Sequence, residues 1–153
     1  MTDSDAALVG FRCAGPEDAI AVVAVFRAAR QRAMPYLPRL HSVNEDVAYF
    51  RSQVLKPCET WVAHVSNRIV GFCAFREGWV DHLYVHPDFA RIGIGRALLN
   101  KAKRTNPQLR LWVFQRNERA MAFYSAMGFS CLEQSDGSNN EEREPDALLY
   151  WSA

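Results

Sequence analysis

Hydrophobic and polar positions divide the chain into short periodic runs. Leu8–Cys13 reads as a strand ending at Gly15-Pro16. Pro16 suits a first helical turn, where its missing N–H costs nothing, and Glu17 and Asp18 complement the positive helix end. The helix this predicts runs through Ile20, Val23, Phe26 and Ala29 and stops at Met34-Pro35. Ser42-Val-Asn-Glu45 is a capping box, and Val43, Val47, Phe50 and Val54 follow it at helical spacing. The texture then changes to strands. Thr60–Val65 and Ile69–Phe75 flank a Ser66-Asn67-Arg68 turn, and Glu77-Gly78 turns the chain into Trp79–Val85. A helix over Gly93–Arg104 and a strand over Leu109–Val113 follow. The helix Glu118–Met127 is closed by Gly128. Phe129–Leu132 and Ala147–Trp151 are the closing strands, joined by a polar loop, Ser135–Asp146. The order β-α-α-β-β-β-α-β-α-β-β predicts an α/β architecture, a mixed sheet with helices on its faces.

Composition narrows what such a chain does. Its 153 residues suit one domain, 1–153, and 49% hydrophobic with 23% charged residues support a packed core. Lysine plus arginine number 18 against 17 acids, a net of +1, which argues against a dedicated nucleic-acid or membrane coat. Cys13, Cys58, Cys73 and Cys131 form no C-x-x-C pair, so zinc ribbons and thioredoxin-type sites drop out. The start, Met1-Thr-Asp-Ser-Asp, carries no signal-sequence pattern, and the apolar stretch Ala19–Phe26 is too short to span a bilayer. A cytoplasmic protein is expected.

The most informative segment is Leu83 through Leu99. A β-branched strand enters a loop holding Gly93 and Gly95, and a helix opens at once. That arrangement aims unpaired N–H groups and the positive helix end at one point, which suits a pyrophosphate. Arg91 and Arg96 flank the turn and offer charge-assisted bonds. A turn that merely starts a helix would look the same. Neither a dinucleotide fingerprint nor a P-loop is present, since Leu98 stands at the third glycine position and no Gly-Lys-Ser/Thr follows. Arg91–Arg119 holds eight basic residues and one acid, a local field favouring a multiply phosphorylated small ligand.

A second motif follows, Asn117-Glu-Arg-Ala-Met-Ala-Phe-Tyr124-Ser-Ala-Met-Gly-Phe129. With Val85-His-Pro-Asp-Phe-Ala-Arg-Ile-Gly-Ile-Gly95 before it, the chain resembles the GNAT superfamily of N-acetyltransferases over roughly residues 8–151. The resemblance implies a mostly antiparallel central sheet flanked by helices, and acetyl-CoA as acyl donor with no metal. It implies that pantetheine pairs with the strand at Leu83, Tyr84 and Val85. The pyrophosphate would sit on the amides of Arg91, Ile92, Gly93, Ile94, Gly95 and Arg96. Asn117 would contact the cofactor, and Tyr124 would protonate the departing thiolate. Asn117 also fits a plain helix N-cap, and Tyr124 a core aromatic. One position departs from the family pattern, whose Gln/Arg falls on Ala90.

The proton acceptor is less legible. Some family members carry a glutamate five residues before the asparagine, where this chain has Trp112. Asp81 and His82 are the substitutes, with Glu77 more distant. In a regular strand Asp81 shares a face with Leu83 and Val85, and a bulge would re-aim either side chain. His82 has the intrinsic pKa nearer neutrality. His82-x-x-x-His86 with Asp81 and Asp88 lacks a clear third ligand for a metal. The acceptor is expected to be a small-molecule or peptide amine. Ser135–Asp146, with five acids and one base, and Tyr36 offer walls for it. A silent acyl-CoA-binding sensor and a nucleic-acid-binding module are the alternative classes, and a homodimer is left open.

Overall fold

The computed structural model describes residues 8–153, so the acidic start Met1–Asp5 lies outside the described residues. Seven strands and four longer helices alternate in the expected order. They are β1 (Val9–Cys13), α1 (Ala19–Ala33), α2 (Val43–Tyr49), β2 (Glu59–Val65), β3 (Arg68–Arg76), β4 (Trp79–Val85), α3 (Ile94–Thr105), β5 (Gln108–Phe114), α4 (Glu118–Ala126), β6 (Ser130–Ser135) and β7 (Asp146–Ser152). The sheet order is β1-β2-β3-β4-β5-β7-β6. Every pairing is antiparallel except β4 with β5.

Local chemistry explains most boundaries. Glu77 and Gly78 both have positive φ (52° and 81°), the two-residue turn that matches strand twist, so β3 returns directly as β4. Ser42 Oγ accepts from the Glu45 N–H while the Glu45 carboxylate accepts from the Ser42 N–H, closing the capping box. Gly128, at φ 93°, ends α4 as expected. Two details differ from the sequence reading. The buried stripe of α1 is Ala19, Val22, Val23 and Val25, while Ile20 is 69% exposed, because α1 starts only after a 3-10 turn at Pro16–Asp18. The segment after α2 widens into a π-turn at Phe50–Val54, where the Leu55 N–H donates to the Phe50 carbonyl at 2.8 Å. That widening carries Phe50 into the core, 1% exposed.

Two apolar layers sandwich the sheet. On one face α3 and α4 bury Leu98, Leu99, Ala102 and Tyr124 against Cys73, Val80, Leu109 and Leu111. On the other face α1 and the 50–55 segment bury Val22, Val23, Phe50 and Val54 against Phe72 and Ala74. No described helix is long and apolar enough to cross a membrane.

The helix α3 lies close on β3. A Cβ at Gly71 would meet Ile94 Cγ2 at 3.2 Å, Leu98 Cδ1 at 3.3 Å and the Tyr84 carbonyl at 3.3 Å. Gly71→Val is expected to lower the unfolding free energy by ~1–3 kcal/mol through overpacking. An unchanged urea midpoint would contradict this close approach.

Candidate active site

Strand divergence builds the site. β4 and β5 share a single register pair, Trp79↔Arg110, beside a bond from the Arg110 N–H to the Gly78 carbonyl at 2.9 Å. Beyond that pair they separate around a cleft of ≈ 620 Å³ lined by Leu83, Leu111, Val113, Asn117 and Tyr124. The exposed edge of β4 can be read from its pairing. The His86 N–H donates to the Val70 carbonyl, and His82 to Val85 pair residue for residue with β3. Alternation then turns the Tyr84 N–H toward β3 and the Leu83 and Val85 N–H groups toward the cleft.

The loop after β4 forms the second part. His86 Nδ1 accepts from the Asp88 N–H at 3.1 Å, starting a turn over Pro87–Phe89. Ala90 is extended, and Arg91 adopts φ 66°, a left-handed conformation costing roughly 1–2 kcal/mol in a non-glycine residue. Gly93, at φ 91°, precedes α3, and a Cβ there would meet nothing within 4 Å. The first-turn N–H groups of Ile94, Gly95 and Arg96 have no intrahelical acceptor. Open space, free amides and the exposed Arg91 and Arg96 fit an anionic diphosphate. The wider basic field is less concentrated than its sequence suggests. Lys101 lies over Trp61 at 4.4 Å, Lys103 over Trp151 at 4.7 Å, Arg110 over Tyr150 at 5.7 Å and Arg116 over Tyr36 at 3.7 Å.

Asn117 caps α4, its Oδ1 accepting from the Ala120 N–H at 3.3 Å, and it also lines the cleft. Tyr124 is 8% exposed on the cleft floor, flanked by Phe123 and Phe129. Burial holds its phenol well above the ordinary value, and the neighbouring Cys73 and Tyr84 add to the effect. The hydroxyl is therefore a proton donor throughout the neutral range.

A bulge decides where Asp81 and His82 go. Phe75 pairs with Val80 and Ala74 with His82, so Asp81 is the extra residue. Val80 therefore joins the α3–α4 layer while His82 turns to the α1 side. The shared face expected for Asp81, Leu83 and Val85 is broken by this insertion. Asp81 stands at the cleft wall, accepting from Cys58 Sγ at 3.4 Å and facing Arg76 Nε at 3.6 Å. Its carboxylate and burial push the Cys58 thiol up to about 11, burial being the larger cause. His82 sits among aromatic rings, 4.9 Å from Phe50, 6.0 Å from Phe26 and 6.2 Å from Tyr84. Burial there, helped by the positive charge of Arg30, lowers its imidazole to about 4. His82 and His86 do not converge: His86 serves the turn after β4. Glu77 is exposed on the β3–β4 turn, at the end where β4 and β5 are still joined.

The far wall draws on the 135–146 loop that the sequence offered and on Glu133, which sequence reasoning passed over. Glu133, Asn139, Asn140 and Asp146 line the cleft from β6, β7 and their connection, and Trp112 joins them, 46% exposed. Glu133 and Trp112 both lie opposite Leu148, a register that only the sheet order reveals. Tyr36 packs beneath Arg116, which pairs with Glu144 at 3.2 Å, so it supports the acidic loop.

Comparison with known proteins agrees with this geometry. Residues 56–131 match the family model described as an acetyltransferase (GNAT) domain. The peptidyl-lysine N-acetyltransferase YiaC of Escherichia coli (strain K12) is 30% identical over 102 residues, covering 66% of this chain and 68% of that protein. The solution structure of apo-form YjaB from Escherichia coli has a TM-score of 0.77 at 26% identity, over 94% of this chain and 97% of that one. The PaiA N-acetyltransferase of Thermoplasma acidophilum, solved in complex with coenzyme A, shares the fold with a TM-score of 0.72 at 19% identity, covering 95% and 99%.

The buried His82 makes stability depend on pH. Its folded-state pKa lies below the ordinary 6.5, so the unfolded chain takes up the proton first. The contribution is complete above about pH 6.5 and is lost as pH falls toward about 4, a change on the order of 3 kcal/mol. His82→Phe, which cannot titrate, is expected to flatten urea-unfolding stability across that window. Identical pH dependence in both proteins would contradict the buried neutral imidazole.

Proposed function

The chain belongs to the GNAT family of acetyltransferases, and we propose that it moves the acetyl group of acetyl-CoA directly onto a primary amine, with Tyr124 protonating the CoA thiolate. It is an acetyl-CoA-dependent N-acetyltransferase. The observation that carries the mechanism is the divergence of β4 from β5 after Trp79↔Arg110, which leaves a strand edge beside a buried tyrosine.

Acetyl-CoA supplies an activated thioester. The amides of Arg91 through Arg96, with the Arg91 and Arg96 side chains, hold the diphosphate. The Leu83 and Val85 N–H groups take the place of the missing β5 ladder and orient the pantetheine, with Tyr84 between them anchored to β3 and Asn117 on the opposite wall. As the amine nitrogen bonds to the carbonyl carbon and the C–S bond breaks, the Tyr124 hydroxyl gives its proton to sulfur. The amine's excess proton passes by water to the Asp81 carboxylate. Geometry separates the two candidates: His82 is enclosed among aromatic rings, where burial disfavours its charged form, whereas the Asp81 carboxylate stands exposed at the cleft wall, within reach of water. His82 acts instead as a neutral wall for the attacking amine. The name of the relative YiaC, a peptidyl-lysine N-acetyltransferase, supports a lysine side chain of a protein as acceptor.

Acetyl-CoA at 100-fold its dissociation constant is expected to stabilise the protein by about 2.7 kcal/mol. Gly95→Val, crowding Phe123 at 3.5 Å and the amides beside it, should abolish that shift in a thermal scan. A folded variant with an unchanged shift would displace the diphosphate from this loop.

Tyr124→Phe is expected to keep acetyl-CoA binding while slowing thiol release by ~10²-fold. Asp81→Asn should lower kcat/KM with a lysine peptide by a similar ~10²-fold. Full activity in either variant would remove that residue from the proposed chemistry.

A further inference from the structure

A second cavity, of ≈ 440 Å³, adjoins the cleft on the α1 side of the sheet, between α1, the Met34–His41 loop and α2. Among the described residues, Met34 and His82 line both cavities. The β6–β7 connection spans the junction, with Asn139 and Asn140 facing the cleft and Glu141 and Glu142 facing the second cavity. Two contacts fasten that span to the other side: an ion pair of Glu142 with Arg30 at 3.4 Å and a hydrogen bond between Glu141 and the His41 ring at 2.5 Å. The junction is thus closed above as well as at its sides.

The chemistry changes in a fixed order along this path. The outer cavity is charged and partly paired, with Arg27 to Asp46 adding to the contacts above, while Arg39 bonds the neutral Gln31 and Glu45 caps α2. The junction presents a thioether and an uncharged imidazole. The cleft beyond it is lined by Asp81, Glu133 and Asp146, with no lysine or arginine among its lining residues. A ligand that matches this order has a polar body, an unbranched apolar stem and a terminal cation. A branched or secondary amine would place its bulk between Met34 and His82, the two residues common to both cavities.

Resting on the acetyl-transfer reading above, we infer that Met34 and His82 form a neck that selects a primary amine at the end of an unbranched methylene chain, with Met34 setting its width. His82 is the fixed side, wedged against Phe50 and Phe26. Met34 is the adjustable side. Its backbone is held by a bond from its N–H to the Arg30 carbonyl at 2.7 Å, but its flexible thioether can re-pack around a passing stem. At 4% exposure Met34 closes the passage until such a stem displaces it.

The test measures kcat/KM with acetyl-CoA for two acceptors: N-α-acetyl-lysine amide, and a lysine amide blocked at the ε-nitrogen so that only its branched-carbon α-amine reacts. The wild type is expected to prefer the ε-amine by at least ~10-fold, the scale a shaped apolar passage supplies. Met34→Ala should lower that preference about tenfold, and Met34→Leu, which keeps the bulk, should retain it. Met34→Val carries the comparison if the alanine variant does not fold, and the acetyl-CoA-dependent thermal shift reports folding in each case. Equal use of both amines by the wild type, or an unchanged preference in the small-residue variants, overturns the neck while leaving acetyl transfer standing. Absence of thiol release with every amine overturns the transfer reading and the neck with it.

Discussion

Parallel strands normally bond along their whole length, and here β4 and β5 stop after Trp79↔Arg110. The consequence is a row of half-buried backbone groups at Leu83 and Val85 on a strand edge that β5 leaves uncovered. Peptide groups on such an edge lack the ladder bonds a neighbouring strand would supply, so the edge is open to a ligand that can pair with it. The gap is floored by apolar side chains, chiefly Leu83, Leu111 and Tyr124, and β4 runs on through the 86–93 loop to the amides that begin α3. A long ligand with amide groups along its stem and phosphates at one end satisfies both features at once. The sheet is thus incomplete beside the proposed donor site.

The bulge at Asp81 is the second constraint. One extra residue in β4 separates Val80 and His82 onto opposite faces. The strand whose edge is proposed to receive the donor therefore also carries a carboxylate at the cleft wall and a neutral imidazole on the α1 side. The π-turn at Phe50–Val54 completes this arrangement by pushing Phe50 against the His82 ring at 4.9 Å. Two irregularities, in elements far apart in sequence, thus fix one side chain.

Much of this was legible in the chain. The element order, the capping box at Ser42–Glu45, the two-residue turn at Glu77-Gly78 and the glycine loop before α3 all follow from short-range chemistry. Such chemistry is written in neighbouring residues. Features set by long-range pairing were not. The bulge depends on how β4 meets β3, and the buried stripe of α1 shifts because a 3-10 turn precedes it. Glu133 reaches the cleft only because β7 lies between β5 and β6, an insertion no local pattern announces. The placement of Lys101 and Lys103 over Trp61 and Trp151 is likewise a product of long-range packing.

The central claim is that the cleft-facing amides of β4 are completed by the acyl donor. Amide hydrogen exchange, followed residue by residue with and without acetyl-CoA, tests it most directly. The account requires the Leu83 and Val85 N–H groups to become protected on binding, together with those of Ile94, Gly95 and Arg96. The Tyr84 N–H, already committed to β3, should change little. Exchange at Leu83 and Val85 that is unaffected by saturating acetyl-CoA would contradict the account.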